Sequence, residues 1–523
     1  MEINEIESEK RRLEKRYVPY VYAVSIFSFT LLLSCLRGTK QESKFLNGQL
    51  EERYYLNKAG KKEGPYTKWY WNGKIHVKCA YKDGNLHGTH TYWYDNGQKS
   101  IECTYKNGKE EGPYNEWYGD GKKKKAYAIK NGKLDGPYVE WFENGQKLVE
   151  YTYKNGSREG LFTRWNSHGE KEQECIYKND KPDGLFVDWY SNGKKHKECT
   201  YKNGKLEGHY TVWHDSVQKS IECAYRNDKL EGPYHAWYGN GKKQKECTYK
   251  DGNLEGNYTE WFENGQKLNE CTYKEGKIEG AFIKWRNSGK KQEEGFYKDG
   301  KREGAYTKWY ESGKMQEKCV YKNDKRNGLY TQWYKNGNKQ RECSYRDGTM
   351  EGRSVEWFDN GQRSNERFFK NGIQEGISTN WNRNGKKQEE GFYKDGKREG
   401  VYTRWYESGK KQEECAYKND KKDGPYTRWY KNGKMQEKSA YKNNKQEGLS
   451  IRWYENGKKQ EESFYKEGIQ EGAYTRWYEN GTIQEKSAYK NGKLEGSYIR
   501  WDENGKKQEE SFYKNGKKQE KKT

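Results

Sequence analysis

The first candidates for chemistry in this sequence are pairs of adjacent carboxylates. Glu413 and Glu414 form one such pair, and the pair recurs at Glu461–Glu462 and Glu509–Glu510. Two carboxyl groups held close together can act as general acid and general base. In an extended strand, however, adjacent side chains point to opposite faces of the sheet. We therefore interpret these pairs as part of a charged, solvated surface.

The cysteines are the second candidates. Of the 11 cysteines, Cys35 stands near the N-terminus, and the others each lie ten residues after a recurring tryptophan: Cys79, Cys103, Cys175, Cys199, Cys223, Cys247, Cys271, Cys319, Cys343 and Cys415. Equivalent positions in neighbouring repeats should lie two strands apart, roughly 9–10 Å, whereas a disulfide needs Cα atoms within about 7 Å. Paired Cys and His spacing typical of a metal site is absent from the sequence. We interpret these cysteines as small, half-buried apolar side chains.

Histidine-based catalysis and phosphate-binding loops find no support in the sequence. The eight histidines are scattered, and the motifs H-E-x-x-H, G-x-S-x-G and the P-loop are absent. We predict that the protein is not an enzyme and needs no cofactor or metal.

A strict repeat positions all of these residues. Of the 20 tryptophans, all but Trp71 follow one another every 24 residues from Trp69 to Trp501. A glycine stands five residues before each of them, and another stands four residues after each, except where Val217 replaces it. A fixed period of this kind marks a stacked array of structural repeats. We assign residues 61–518 to this array.

Each repeat carries two turn signals. Asn-Gly or Ser-Gly follows the Trp-Tyr pair, and Asn-Gly or Asn-Asp follows a later tyrosine. Asn-Gly favours two-residue type I′ turns, and the runs between the turns are rich in Tyr, Trp, Thr and Phe, which suit strands. We predict an all-β fold, an elongated antiparallel meander of about 19 stacked 24-residue β-hairpins.

Two local expectations follow from this hairpin. With two-residue turns, alternation places Tyr402, Tyr406, Cys415 and Tyr417 on one face, and Thr403 with Trp405 on the other. Valine tolerates positive φ badly. We therefore expect a changed turn type at Val217 and the loosest hairpin of the array there.

Residues 1–34 differ in composition from the array. Basic residues between Lys10 and Arg16 precede a mostly apolar run that ends in LLLSC. This pattern is typical of a secretory signal and resembles the bacterial lipobox, with Cys35 as the residue to be lipidated. An uncleaved anchor helix is the alternative, because about 20 residues can span a bilayer. We predict an exported, membrane-anchored lipoprotein of the cell envelope, periplasmic or on the surface, with residues 35–60 as a tether and a degenerate first half-repeat.

The repeat unit itself resembles the MORN repeat in its bacterial variant form. The resemblance covers residues ~41–518 and rests on Gly400, Tyr402, Trp405, Tyr406, Gly409 and Tyr417 with their counterparts 24 residues apart. The eukaryotic Y-x-G-x-W core reads here as Tyr-Thr-Arg-Trp, without its glycine. The resemblance implies stacked β-hairpins and an antitoxin-like label. A weaker likeness, to choline-binding cell-wall repeats, rests on YYLNKAG at Tyr54–Gly60.

Charge and aromatic content together favour a binding function. The net charge is +23, from 102 basic and 79 acidic residues, which indicates either a solvated lysine-rich surface or a face that binds polyanions. We predict a scaffold that binds a protein partner through an aromatic surface; the alternative is a binder of cell-wall polymer, glycan or anionic lipid headgroups. Nucleic acid conflicts with export. The predicted binding ladder comprises Trp69, Trp93, Trp261, Trp309, Trp405, Trp429, Tyr402, Tyr406 and Tyr417.

Overall fold

The computed structural model describes residues 38–520, and every regular element within them is a β-strand. The chain divides into two compact units. Among the described residues, the first comprises residues 38–242 with Tyr249–Gly252, and the second comprises Lys243–Thr248 with residues 253–520. The predicted signal segment and Cys35 lie outside the described residues. Within 38–520 there is no helix long and apolar enough to cross a membrane.

The strands follow the 24-residue period. Those up to Trp237 lie in the first unit: β1 (Thr39–Lys44), β2 (Leu50–Leu56), β3 (Gly64–Trp69), β4 (Ile75–Lys82), β5 (Asn85–Leu86), β6 (Gly88–Trp93), β7 (Lys99–Lys106), β8 (Lys109–Trp117), β9 (Lys123–Lys130), β10 (Lys133–Leu134), β11 (Gly136–Trp141), β12 (Lys147–Lys154), β13 (Ser157–Arg158), β14 (Gly160–Trp165), β15 (Lys171–Lys178), β16 (Lys181–Trp189), β17 (Lys195–Lys202), β18 (Lys205–Trp213), β19 (Lys219–Arg226), β20 (Lys229–Leu230) and β21 (Gly232–Trp237). β22 (Lys243–Lys250) contains residues of both units.

The remaining strands belong to the second unit. They are β23 (Asn253–Trp261), β24 (Lys267–Lys274), β25 (Lys277–Trp285), β26 (Lys291–Lys298), β27 (Lys301–Trp309), β28 (Met315–Lys322), β29 (Lys325–Arg326), β30 (Gly328–Trp333), β31 (Lys339–Arg346), β32 (Thr349–Trp357), β33 (Arg363–Lys370), β34 (Ile373–Gln374), β35 (Gly376–Trp381), β36 (Lys387–Lys394), β37 (Lys397–Trp405), β38 (Lys411–Lys418), β39 (Lys421–Trp429), β40 (Met435–Lys442), β41 (Lys445–Gln446), β42 (Gly448–Trp453), β43 (Lys459–Lys466), β44 (Ile469–Trp477), β45 (Ile483–Lys490), β46 (Lys493–Leu494), β47 (Gly496–Trp501), β48 (Lys507–Lys514) and β49 (Lys517–Gln519).

Neighbouring strands pair antiparallel within each unit, which confirms the predicted all-β meander of hairpins. In the second unit β37 pairs with β38, and β38 pairs with β39. The same order holds in the first unit, where β16 pairs with β17 and β17 with β18. Each 24-residue repeat therefore contributes one hairpin and the turn that leads into the next.

The two turns of a repeat differ in type. The second turn, between β38 and β39, carries Asn419 and Asp420 with φ of 48° and 65°, as the predicted type I′ turn requires. The first turn, between β37 and β38, is longer: the N–H of Tyr406 donates to Lys410 at 2.9 Å, and the N–H of Gly409 donates to Tyr406 at 2.8 Å. The prediction of two-residue turns is therefore wrong at the first turn of the repeat.

Two bulges adjust which residues share a face. The register shifts between Arg404 and Trp405, where Trp405 pairs with Lys411. It shifts again after Cys415, where three residues of β39, from Asp423 to Pro425, lie opposite the single Ala416. The second bulge adds two residues, so side-chain alternation is preserved across it.

One face of the sheet, here called the tyrosine face, is closed by its own side chains. Tyr402, Cys415, Tyr417 and Tyr426 form a buried cluster, and Cys415 is 0% exposed. The rings of Tyr402 and Tyr417 meet edge to face at 5.8 Å, an arrangement that adds about 0.5–1.5 kcal/mol to the burial of their area. The prediction for Tyr402, Cys415 and Tyr417 is confirmed, whereas Tyr406 lies beyond the first bulge and does not join this cluster.

The segment before the array also forms a hairpin. β1 and β2 pair antiparallel from Thr39↔Leu56 to Lys44↔Leu50, and β2 pairs with β3. The prediction for residues 35–60 was a tether and a degenerate first half-repeat. Phe45 occupies the position at which the repeat would place a ladder tryptophan. The sequence of β1 is polar and lacks the alternation of apolar and polar residues that predicts a strand.

Val217 replaces glycine in the first turn after β18. Its N–H donates to the carbonyl of His214 at 2.9 Å, as the N–H of Gly193 donates to Tyr190 at 2.9 Å in the preceding repeat. The expected change of turn type is wrong, because Val217 adopts the glycine-like conformation with φ of 72°. His214 Nε2 lies 3.1 Å from the carbonyl of Trp237, so stacking on the next repeat holds this turn in place.

The variant Val217→Gly is expected to stabilise this hairpin by about 1–2 kcal/mol, because it removes a β-branched residue from the left-handed region. Hydrogen exchange of residues 213–223 measures the effect. Gly193→Val is the matched control and should loosen its own hairpin by a similar amount. Unchanged protection in Val217→Gly would show that the valine turn is not strained.

Candidate functional site

The face opposite the tyrosine face, here called the tryptophan face, carries the tryptophan ladder. Its rings are half-buried, and basic side chains of the preceding repeat cover them. The distances from the Arg Cζ or Lys Nζ atom to the ring centroid are 5.6 Å for Arg53 over Trp69, 5.8 Å for Lys243 over Trp261, 5.8 Å for Lys291 over Trp309, 5.7 Å for Lys387 over Trp405 and 5.6 Å for Lys411 over Trp429. Trp93 is half-buried as well.

Carboxylates neutralise the covering lysines. Lys387 forms a short ion pair with Glu390, and Lys291 pairs with Glu294 at 2.7 Å. Glu390 also accepts a hydrogen bond from the hydroxyl of Thr379 at 3.1 Å. Each exposed cation–π contact contributes about 0.5–1 kcal/mol. The tryptophan rings that were predicted as a binding ladder therefore already contact basic side chains of the protein itself. These contacts join each repeat to the next.

The predicted tyrosines also have structural partners. Tyr402 and Tyr417 are buried in the tyrosine face, and burial raises the pKa of Tyr402 to about 12. The hydroxyl of Tyr406 donates to the main-chain carbonyl of Trp429 at 2.7 Å. The same hydrogen bond joins repeats along both units, as from Tyr94 to Trp117 at 2.8 Å. These tyrosines therefore stabilise the stack.

The second turns are joined by carboxylate caps. Glu399 accepts a hydrogen bond from the N–H of Asn419 at 2.9 Å, and Glu207 accepts one from the N–H of Asn227 at 2.9 Å. The glutamate of each Glu-Gly step thus satisfies a turn N–H in the next repeat. The sequence pattern predicted the turns but not this contact between them.

A row of exposed apolar side chains on the tryptophan face was not recognised from the sequence. Val401 is 58% exposed and Ile377 54% exposed. Both directly follow the glycine of a Glu-Gly step and share a face with the threonine two residues on. This apolar row comprises Phe296, Val320, Leu329, Phe368, Ile377, Phe392, Val401, Leu449, Phe464 and Phe512. Along the strands these positions alternate with the buried Tyr and Cys positions, and this alternation could have predicted the exposed row from the sequence.

The apolar row belongs to the second unit. Ile377 pairs with Phe392, and Leu449 pairs with Phe464. Phe368, Ile377 and Phe392, with Gly352 and Gly376, line an open depression of about 420 Å³. At the positions equivalent to Ile377, most repeats of the first unit carry proline or a polar residue. Two repeats of the first unit carry leucine there, and one of these, Leu161, is 44% exposed and pairs with Ile176. The exposed apolar side chains at these positions are therefore concentrated in the second unit.

The groups considered for chemistry are separated or buried. A carboxylate oxygen of Glu413 lies 3.6 Å from the Nζ atom of Lys422, whereas Glu414 forms a short ion pair with Lys411. The two adjacent carboxylates therefore point away from each other, as predicted. Burial raises the pKa of the Cys415 thiol to about 11, which keeps it protonated at neutral pH. Among residues 38–520, no group of three or more His, Cys, Asp or Glu side chains is placed to hold a metal ion.

Comparisons with known structures add little to this geometry. Two crystal structures match 91% of the chain: TcdB2-TccC3, at 10% identity and a TM-score of 0.14, and TcdB2-TccC3-TEV, at 9% identity and a TM-score of 0.13. The chain spans about a third of each, 31% and 32%. At these TM-scores no conclusion about fold or function follows. No curated protein matches the sequence.

A family model of the MORN repeat variant matches more than half of the chain, in segments that each span a first turn and its flanking strands. The matched residues are 86–107, 134–155, 182–203, 230–251, 254–275, 302–323, 326–347, 374–395, 398–419, 422–443, 446–467, 470–491 and 494–515. These segments follow the hairpins of the structure in phase with the tryptophan ladder. The chain belongs to the MORN repeat variant family.

Proposed function

We propose that this protein is a non-catalytic scaffold that binds a protein partner through the apolar row of its second unit. The concentration of exposed aliphatic and phenyl side chains there carries the proposal. Contiguous exposed apolar patches mark interaction sites in soluble proteins, and aromatic residues are enriched in the cores of protein interfaces. Phe368, Ile377 and Phe392 line a depression in this surface.

A protein partner fits this surface better than a glycan does. Sugar recognition needs open aromatic rings with polar side chains beside them, and lysines already cover the ladder tryptophans. The apolar row instead offers Ile377 and Phe392 directly opposite each other on neighbouring strands. Such a pair can receive an apolar side chain from a partner, the arrangement typical of interface hot spots.

We also propose that the interaction takes place at the cell envelope, with the array tethered through a lipid on Cys35. The sequence LLLSC after an apolar run supports this proposal. The antitoxin-like role implied by the family resemblance would be one form of such binding. Mass spectrometry of the mature protein tests the anchor: an unmodified Cys35 within an intact N-terminus would contradict it.

The double variant Ile377→Lys/Phe392→Lys tests the binding surface. We expect the tagged full-length protein to retain its partner at about 0.5 M NaCl, where surface charges are screened, and the double variant to lose it by at least about tenfold. The matched control is Thr89→Lys/Thr104→Lys, which places the same charges at the equivalent positions of the first unit.

Circular dichroism should show that both double variants keep the β-sheet, because all four positions lie on a solvent-facing surface. Equal partner retention by the two variants would overturn the proposed surface. A wild-type protein that retains no partner at this salt concentration would overturn protein binding itself.

A further inference from the structure

The second turns place lysines directly opposite each other. Lys418 pairs with Lys421 across the turn, Lys394 pairs with Lys397, and Lys442 pairs with Lys445. All are exposed. The same pairing occurs at Lys106↔Lys109, Lys130↔Lys133, Lys178↔Lys181, Lys202↔Lys205, Lys274↔Lys277, Lys298↔Lys301, Lys322↔Lys325, Lys490↔Lys493 and Lys514↔Lys517.

Packing does not account for these pairs. Like charges directly opposite each other on neighbouring strands destabilise a sheet, and each pair recurs at the same place in its repeat. An aspartate stands between the two lysines in some turns. Asp420, however, accepts hydrogen bonds from Arg398. The turn Lys394–Lys397, which contains Asp395, keeps one net positive charge. The pairs persist at a cost to stability.

Several lysines elsewhere in the repeat have partners within the protein. On the tryptophan face, Lys411 pairs with Glu414. In the first turn, Lys410 donates to the carbonyl of Asn432 at 2.7 Å, and Lys434 donates to that of Asn456 at 2.7 Å. The nearest glutamate of the second turn is engaged by a main-chain N–H, as Glu399 is by Asn419. By contrast, the second-turn pairs Lys394–Lys397, Lys418–Lys421 and Lys442–Lys445 form no ion pair or side-chain hydrogen bond within residues 38–520.

Successive second turns create a continuous basic strip within a unit. Because neighbouring strands run in opposite directions, all second turns of a unit lie at the same end of its strands. Successive second turns are two strands, or roughly 10 Å, apart. The row of paired lysines along these turns is here called the lysine edge. That spacing is close to the Debye length at physiological salt, about 8 Å, so the potentials of neighbouring pairs overlap. In the first unit Lys181, Lys202 and Lys205, with Asn203, Asn227 and the capping Glu207, line an open depression of about 420 Å³.

We propose that this lysine edge binds a linear phosphate polymer through its backbone charge. Lysine binds phosphate as a point charge without fixed geometry, and a row of evenly spaced pairs matches a chain of phosphates better than it matches a plane. The segments from Lys394 to Lys397, Lys418 to Lys421 and Lys442 to Lys445 contain no aromatic residue on which a base could stack. The polymer is recognised by charge and not by sequence.

Binding of fluorescently labelled long-chain inorganic polyphosphate to the full-length protein tests this proposal. The test variant changes six second-turn lysines to glutamine, at Lys394, Lys397, Lys418, Lys421, Lys442 and Lys445. The matched control changes six first-turn lysines of the same unit to glutamine, at Lys290, Lys314, Lys386, Lys410, Lys434 and Lys458. Both variants lose the same net charge.

We expect the second-turn variant to bind polyphosphate at least about tenfold more weakly, with the slope of log K against log salt reduced by about one for each lysine that contacts the polymer. The first-turn control should keep most of the affinity and the slope. The melting temperature of the second-turn variant should stay the same or rise, because opposed like charges are removed.

Two further arms identify the source of the phosphate. Vesicles containing an anionic phospholipid should bind more weakly than polyphosphate, and tighter binding to vesicles would overturn the proposal in favour of a membrane. A single-stranded oligothymidine should bind no more tightly than polyphosphate of equal charge. Equal losses in the two lysine variants would also overturn it, because net charge alone would then explain binding.

Discussion

A chain that lacks residues 305–400 is expected to fold and to lose its protein partner. The deletion joins Gly304 to Val401 and keeps the 24-residue register. Residues 291–304 and 387–400 have the same sequence, KQEEGFYKDGKREG. After the deletion β26 therefore replaces β36, whose pairing with β37 runs from Glu389↔Arg404 to Lys394↔Lys397. Because repeat arrays are stabilised by nearest-neighbour contacts, stability should fall only modestly.

The loss of binding follows from what the deletion removes. It takes away Val320, Leu329, Phe368, Ile377 and Phe392, and with them the depression of about 420 Å³. Partner affinity should fall by at least about tenfold, since a few central residues carry most of the energy of an interface. Thermal melting and a pull-down titration measure the two effects.

Deletion of residues 98–217 provides the control. It joins Gly97 to Gln218 and exploits the repeated sequence QKSIEC at Gln98 and Gln218. It removes more of the chain, all of it from the first unit, and leaves the apolar row intact. Partner affinity should be retained. Losses in proportion to deleted length in both chains would contradict a localised site and indicate binding spread evenly over the array.

Cys415→Asp is expected to lower the free energy of unfolding of its hairpin by about 4 kcal/mol or more. Cys415 is 0% exposed and packs against Tyr402, Tyr417 and Tyr426. A carboxylate at this point would be buried, and the nearby cations Lys422 and Arg398 already form ion pairs with other carboxylates. The change therefore ranks among the most destabilising single substitutions. Denaturant titration and hydrogen exchange of residues 397–429 measure the loss.

Cys415→Ser is the matched control, because serine occupies the same slot at Ser439, Ser463 and Ser487, all buried. It should cost about 1 kcal/mol. The damage from the aspartate should stay in the adjacent repeats, as stability in such arrays is transmitted between neighbours. Equal stability of the two variants would show that the tyrosine face is not a core.

The hairpin architecture was predictable because the local sequence of each repeat specifies its turns and strands. Asn-Gly and Asn-Asp at the second turn supply the positive φ values that reverse the chain, as at Asn491 with 50° and Gly492 with 74°. The tryptophan at every 24th residue sets the register. Proline at positions such as Pro425 lies within the bulge beside Ala416, where it costs the ladder least.

The bulges and the candidate site were less accessible from the sequence. The shift between Arg404 and Trp405 depends on the longer first turn, and it moves Tyr406 away from the tyrosine cluster. The predicted ladder residues Trp405 and Trp429 are covered by lysines that stand 18 residues earlier in the chain. The exposed row at Ile377, Phe392 and Val401 became visible only once it was clear which face closes on itself.

The sequence by itself determined the repeat, its turns and its strands, because these depend on φ preferences and on side-chain alternation within a few residues. The tertiary structure decided which side chains are free to bind. Tyr406 reaches the carbonyl of Trp429, 23 residues away, and Glu399 reaches the N–H of Asn419, 20 residues away. Such contacts between repeats engage the aromatic and acidic side chains that are prominent in the sequence. The apolar row and the lysine edge remain exposed.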